Sequence, residues 1–180
     1  MPNLIFTRRF SMGHRLIHSA NESCSLPHGH NEYVTVTLKQ HQLVRLDGIG
    51  NMPVSFENAK KTWHRFVDER LDHALQLAHD DPLLHWFRVN EPTRAYRIVV
   101  TPGDPTTELM ACLLKAKLTA FLKAENSILY CSELSIRETS TNTVSFQGDP
   151  SDVLPQQDIK KRIPWWNRPD MSISDLPECS

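Results

Sequence analysis

Long hydrophobic runs, a surplus of charge and paired cysteines are all missing from this chain, and each absence closes off a class of function. No apolar stretch approaches the roughly 20 residues that cross a bilayer. The start, MPNLIFTRRF, lacks the pattern of a secretory signal. The cytoplasm is therefore the expected location, with no membrane partner. A formal net charge of −1 at pH 7 gives no electrostatic reason to expect nucleic acid or an anionic surface. The four cysteines, Cys24, Cys112, Cys131 and Cys179, form no CxxC pair, so neither a disulfide framework nor a four-thiolate zinc site is indicated. A thiol that is to react also prefers a reducing compartment.

What is there is ordinary in bulk and unusual in one place. At 180 residues, 39% hydrophobic and 23% charged, the chain suits one globular domain, or one domain with appendages. Nine histidines is a high count. His18, His41, His64, His79 and His85 read as surface or loop residues, but the stretch around His14 and His28-Gly29-His30 does not. In an extended strand alternate side chains point the same way, so His28 and His30 project from one face. Two imidazoles on one face, with glycine between them, make half of a zinc site, and His14 on a preceding strand supplies a third ligand. Three protein nitrogens leave the fourth tetrahedral position open, as a catalytic zinc requires and a structural one does not.

Along the chain, Leu4, Phe6, Phe10, Met12 and Leu16 share one parity with His14, which predicts a strand over 4–16. The segment from His18 to Pro27 lacks periodicity and predicts a loop, with Cys24 on it. From about His28 to Leu38 the alternation returns, Val34, Val36 and Leu38 sharing the face of His28 and His30. Ser55 predicts a helix N-cap with Glu57 in the first turn. Phe56, Ala59, Trp63, Phe66 and Val67 form its apolar stripe, and the helix fades near Leu71-Asp72-His73. Residues 79–94 read as irregular, Tyr96–Val100 as a third strand. Thr106 or Thr107 caps a second helix with the stripe Leu109, Cys112, Leu113, Ala116 and Ala120. Ile128–Glu138 reads as a fourth strand, with Glu138 on the apolar face, where an unpaired carboxylate is costly. Residues 147–180 are rich in proline and predict an extended tail, with Trp165-Trp166 packing it onto the main body or a neighbouring subunit and Lys160-Lys161-Arg162 solvated. There is no internal repeat. The order of elements predicts an α+β fold: a small antiparallel sheet with helices on one face, completed by association through sheet edges.

The residues His14, Cys24-Ser-Leu-Pro-His28-Gly-His30, Leu71-Asp72-His73, Pro105-Thr106-Thr107-Glu108 and Glu138-Thr139 stand in an order that resembles the 6-pyruvoyltetrahydropterin synthase and 6-carboxytetrahydropterin synthase family. The resemblance covers about residues 4–146. It implies the tunnelling fold: a four-stranded antiparallel sheet with two helices on one face, joined into a barrel, commonly as trimers stacked into hexamers with active sites between subunits. It implies a domain over 1–146 and leaves 147–180 as an appendage. It implies Zn2+ on His14, His28 and His30, Cys24 as the catalytic cysteine, Asp72 and His73 as the pair that works with it, and Glu138 as the residue that grips a pterin ring. Cysteine separated from HGH by three residues, as here, is similar to the 6-carboxytetrahydropterin synthases of queuosine biosynthesis. The chain departs from the family at Ser55, where aspartate is usual, and at Glu32, where an aromatic is usual.

The resemblance thus implies conversion of 7,8-dihydroneopterin triphosphate to 6-carboxy-5,6,7,8-tetrahydropterin, with acetaldehyde and triphosphate released. Zinc would lower the pKa of the side-chain hydroxyls, Cys24 would act as base, and His73 with Asp72 would return a proton. Arg8, Arg9 and Arg15 are candidates for the triphosphate. Two alternatives stay open: a synthase that stops at the pyruvoyl product, and an idle member that binds zinc or a pterin. Each residue taken alone has a plainer reading. His14 reads as a core or surface histidine, HGH as a turn, Cys24 as a small buried hydrophobe, Asp72-His73 as a helix C-terminus, and Glu138 as an exposed or salt-bridged strand end.

Overall fold

A computed structural model describes residues 2–48, 50–156 and 162–176. Cys179, Lys160 and Lys161 lie outside these described residues. Strand β1 (Leu4–His14) and strand β2 (His28–Gln40) pair antiparallel along their whole length, from Leu4↔Leu38 to His14↔His28. The alternation in the sequence is what the sheet uses. Phe6, Phe10, Met12 and His14 of β1 and Val34, Val36 and Leu38 of β2 are buried on one face. Between the two strands lies the four-residue helix α1 (Glu22–Ser25), capped by Asn21, whose side chain accepts from the Ser23 N–H.

Helix α2 (Phe56–Phe66) begins at Ser55 as expected, the Ser55 side chain accepting from the Asn58 N–H. Trp63 and Phe66 enter the core, while Phe56 at the head of the expected stripe is exposed. The helix widens into a π-helical turn, Val67–Leu71, closed by the Asp72 N–H on the Val67 carbonyl. Strand β3 (Ala74–Ala78), helix α3 (Pro82–Asn90), a 3-10 segment (Pro92–Arg97) and strand β4 (Ile98–Thr101) follow. Helix α4 (Thr107–Ala124) is capped by Thr106, and strands β5 (Leu129–Arg137) and β6 (Thr143–Phe146) complete the sheet.

The sheet order is β4-β3-β1-β2-β5-β6. Three of the expected strands, β1, β2 and β5, pair antiparallel, and β6, not expected from the sequence, completes a four-stranded antiparallel sheet. The strand expected at Tyr96–Val100 is instead β4, at the far edge and parallel to β3. Two parallel pairings extend the antiparallel sheet beyond β1, β1 with β3 and β3 with β4, so the whole sheet is mixed. Residues 79–94, expected to be irregular, carry α3. Asp81 caps it with Pro82 in its first turn, and Leu84 packs with Leu77 and Ile98 in a second small core. Proline at a helix start is compatible with the helix, because the lost N–H had no intrahelical partner there.

Helices α2 and α4 cover the apolar face. On α4 the expected Leu113 and Ala116 are buried, but so are Met110, Leu114, Lys117 and Phe121. A second side of the helix is covered because residues 147–156 and 162–176 fold back over it. Lys115 donates to the carbonyls of Ser132, Gln147 and Gly148. Lys117, with no exposed surface, donates to those of Trp165 and Arg168 and to Asp170. Burial drives the Lys117 ammonium down to about 8 against the pull of Asp170. Trp165 and Trp166 pack into the chain's own core, and the Trp165 indole N–H donates to the Val100 carbonyl at 2.8 Å. The Val100 N–H in turn donates to the Ile173 carbonyl, so the outer edge of β4 is covered by the C-terminal segment.

Candidate metal centre and active site

The pairing of β1 with β2 puts His14 opposite His28 and Met12 opposite His30. Since His14 and Met12 share a face, all three imidazoles meet on the buried side of the sheet. Their ring centroids are 4.5, 5.1 and 5.2 Å apart, and one ligand nitrogen from each lies within 4.8 Å of the others. Glycine between the two strand histidines is a packing requirement. A Cβ on Gly29 would sit 2.6 Å from the Met12 carbonyl oxygen, so a larger residue would force the strands apart.

The tautomers of His14 and His28 are written in their contacts. His14 Nδ1 lies 3.0 Å from the Pro105 carbonyl and His28 Nδ1 lies 2.9 Å from the Leu26 carbonyl. A carbonyl only accepts, so both Nδ1 atoms carry hydrogen. In the neutral rings both Nε2 atoms then present lone pairs, and these face each other at 3.1 Å. Two lone pairs at that distance repel unless a cation lies between them. Tetrahedral ligands about 2.0–2.1 Å from zinc stand roughly 3.3 Å apart, so the pair is spaced as ligands of one ion would be. Burial keeps His14 below the ordinary imidazole range, and the Pro105 carbonyl only partly offsets it. The residues therefore fit a divalent ion. The carbonyl-bound Nδ1 atoms are the supporting contacts that hold ligating imidazoles in their tautomer.

A cleft of about 640 Å³ opens over this trio, lined also by Cys24, Thr107, Glu138 and Asn142. Cys24, expected on a loop, is carried there by the short helix α1 within the connection between β1 and β2; the Leu16 N–H donates to the Cys24 carbonyl and the Cys24 N–H to the Asn21 carbonyl. His18, expected to be a plain surface residue, ties this loop down. Its backbone N–H and its Nδ1 both meet Asp104 at 2.9 Å, and its Nε2 meets Asp80 at 3.1 Å. Glu138 accepts from the Thr107 hydroxyl at 2.9 Å and stands 3.9 Å from His30 Nε2. Its expected partner problem is thus solved by α4 and by the histidine trio.

Asp72 and His73 do not line this cleft. They lie at the opposite edge of β1, against Ser11. The Ser11 N–H donates to Asp72 Oδ1 at 2.8 Å, the His73 N–H donates to the Ser11 carbonyl at 2.7 Å, and His73 Nδ1 lies 2.8 Å from Asp72 Oδ2. Burial pushes the Asp72 carboxyl up, but the Ser11 N–H and the His73 ring outweigh it and hold it below its ordinary value. His73 adopts a left-handed backbone, φ 60°, and leaves 74% of its side chain exposed. Of the candidate triphosphate contacts, Arg8 is paired with Asp68 and Arg15 with Asp81, while Arg9 donates to Asn31.

Glu32 stands out in the sequence only as an unusual residue at its position. The structure buries it to 1% exposure opposite Phe10 of β1, and among the described residues its Oε2 has no hydrogen-bond partner. Burial, and then the charge on Glu138, raise its carboxyl to about 8, so it is mainly uncharged at neutral pH. A larger cleft, about 740 Å³ between α4 and the C-terminal segment, is lined by Ala116, Lys123, Leu154 and Trp166, and among the described residues no three ligating groups converge there.

With this geometry established, known proteins supply a context. A profile of the family described as 6-pyruvoyl tetrahydropterin synthase matches residues 3–149. The chain is 28% identical over 135 residues to the 6-carboxy-5,6,7,8-tetrahydropterin synthase of Rickettsia felis, covering 74% of this chain and 92% of that one. It is 33% identical over 110 residues to a probable 6-carboxy-5,6,7,8-tetrahydropterin synthase of Halobacterium salinarum, covering 61% and 65%. Among solved structures, an uncharacterized protein from Wolinella succinogenes superposes with a TM-score of 0.65 at 22% identity, covering 82% of this chain and 98% of that one. The Caenorhabditis elegans 6-pyruvoyl tetrahydropterin synthase superposes with a TM-score of 0.52 at 21% identity, covering 83% and 98%. At such identities these two likenesses speak for the fold alone, and the fold is the α+β tunnelling fold.

Proposed function

Because the chain belongs to the 6-pyruvoyl tetrahydropterin synthase family, we propose that it converts 7,8-dihydroneopterin triphosphate and one water to 6-carboxy-5,6,7,8-tetrahydropterin, releasing acetaldehyde and triphosphate, in queuosine biosynthesis. The observation that carries the reading is the convergence of three imidazoles, a cysteine and a glutamate on one cleft. The curated relatives, named for the carboxy product, favour it over the pyruvoyl product.

In this reading His14, His28 and His30 are the residues that would hold a zinc ion. Bound there, zinc supplies Lewis acidity toward a substrate hydroxyl. Cys24, in its thiolate form, takes a proton from the substrate side chain and becomes the thiol, and the loop bonds at Leu16 and His18 keep its sulfur at the cleft. Glu138, fixed by Thr107, accepts two N–H groups of the pterin ring, a charge-assisted pair that sets its orientation. Asp72 orients His73 through Nδ1, so that Nε2 is the atom that exchanges a proton. Since this pair lies outside the cleft of its own chain, it serves the cleft of a neighbouring subunit. The open outer edges of β6 and of the Leu4–Phe10 part of β1 suit such an assembly, a barrel of trimers or hexamers. A catalytic unit over 1–146 with an appendage over 147–180, and a cytoplasmic location, belong to the same proposal. Among the described residues no helix is long and apolar enough to cross a membrane.

Incubation with 7,8-dihydroneopterin triphosphate tests the reading. Acetaldehyde in step with a carboxypterin supports it. A pyruvoyl product without acetaldehyde replaces it with the sister reaction, and no turnover leaves an idle pterin- or zinc-binding protein.

A further inference from the structure

Arg97 ends the 3-10 segment ahead of β4, 25 residues from Asp72, yet its guanidinium closes on the turn that carries Asp72 and His73. Nη1 donates to the Glu69 carbonyl at 2.8 Å and Nη2 to the Asp72 carbonyl at 3.0 Å. These carbonyls need a partner from outside. The π-helical turn is closed by the Asp72 N–H on Val67, and the next N–H, that of His73, is spent on Ser11. The strand pairing keeps Arg97 in place, because Ile98, its neighbour, is registered against Leu75 just past His73. One planar fork thus spans both ends of the segment from Glu69 to Asp72, which a lysine ammonium cannot do.

We propose that Arg97 is a positioning residue for the Asp72–His73 pair, locking the turn so that His73 presents its outer nitrogen in one direction. The proposal rests on the reading that this pair relays a proton. His73 is a non-glycine residue in the left-handed region, a conformation that persists only where the surroundings over-determine it. Its backbone is hooked to Ser11 on one side, and Arg97 is the side chain that holds the other side. Arg70, in the same turn, is bound through Nε to the Met171 carbonyl and so ties the C-terminal segment to the turn's body, before the residues that act.

The test is steady-state turnover of 7,8-dihydroneopterin triphosphate by full-length Arg97→Ala, Arg97→Gln and Arg97→Lys, with His73→Ala alongside. A misplaced proton donor costs roughly 10- to 100-fold in rate. The expected result is a fall of that size in kcat for Arg97→Ala, with KM and bound metal per chain unchanged. Recovery is expected to be partial in Arg97→Lys and on adding millimolar guanidinium to Arg97→Ala. A merely structural role would lower the yield of folded protein and would show no guanidinium rescue, which would overturn the proposal. Should Arg97→Ala not fold, Arg97→Gln carries the same measurement. A folded Arg97 variant with wild-type kcat while His73→Ala is inactive rejects the positioning role and leaves the relay standing. Full activity in His73→Ala rejects the relay, and the proposal with it.

Discussion

His14, His28 and His30 sit on a ladder that pairs residue by residue from Leu4↔Leu38 to His14↔His28, whereas Asp72 and His73 sit at the exit of a π-helical turn, the latter at φ 60°. In the histidine ladder geometry follows from strand periodicity alone, because every second side chain of two long strands must share a face. The turn spends about 1–2 kcal/mol on a left-handed residue, and contacts distant in sequence hold it: Ser11 on one side and Arg97 on the other. The trio is complete within one chain. The Asp72–His73 pair faces solvent, and under the proposed function it is completed only by another copy.

The largest effect separating the two regions is expected from His28→Ala. Loss of a supporting bond at a metal site costs roughly 10- to 100-fold in affinity, and loss of a ligand exceeds that. The variant is expected to purify without metal and without turnover, whereas His73→Ala is expected to keep its metal. Metal analysis of the two proteins decides it.

Mixing sharpens the comparison further. Cys24→Ala and His73→Ala are each expected to lose roughly 10²- to 10⁴-fold in kcat, the usual range for an acid–base group. If the cleft of one subunit uses the pair of another, co-refolding the two inactive variants regenerates some wild-type sites and restores part of the activity. Failure of mixed oligomers to recover any activity would break the idea of a shared site.

A third prediction concerns Glu32 behind the trio. Its carboxyl is raised from 4.5 to about 8, so the folded state favours the protonated form. That contribution is fully present below the unfolded value near 4.5 and is lost as pH rises through about 8. In chelated protein, wild type is expected to lose stability over this window, on the order of a few kcal/mol. Isosteric Glu32→Gln is expected to be flat, matching wild type near pH 5 and exceeding it near pH 8. Parallel slopes in urea titrations at the two pH values would count against this.

The smallest effect is expected at His18. Its hydrogen bond to Asp104, with the charge of Asp80, raises it above the ordinary imidazole value. Docking of the Cys24 loop is thus strongest below the unfolded value of about 6.5 and weakens as pH climbs through the raised one. Hydrogen exchange at the Leu16 and Cys24 amides is expected to speed up over that range more than solvent catalysis explains, and the excess is expected to vanish in His18→Asn.

The same contrast decides what could be read in the sequence. Period-two burial in β1 and β2, the Ser55 and Thr106 caps and the face shared by His14, His28 and His30 are local, and the pattern of residues carries them. Strand β3, Ala-Leu-Gln-Leu-Ala, has neighbours on both sides and three consecutive buried residues at its end, so no alternation marks it. Helix α3 is hidden by its flanking prolines. The extra buried side of α4 is illegible because lysines occupy it, made compatible with burial by carbonyls 17 to 51 residues away. That Asp72 and His73 stand apart from Cys24 depends on β3 pairing with the edge of β1 away from β2, and the bonds of Arg97 run to backbone oxygens, which leave no trace in charge pattern or spacing.

The central claim is that the three imidazoles hold an ion the reaction needs. Metal content per chain, measured together with turnover before chelation, after chelation and after re-addition of zinc, tests it most directly. The account predicts one ion per cleft, loss of turnover with its removal and recovery with its return. A chain that holds no metal and turns over at full rate after chelation would contradict it.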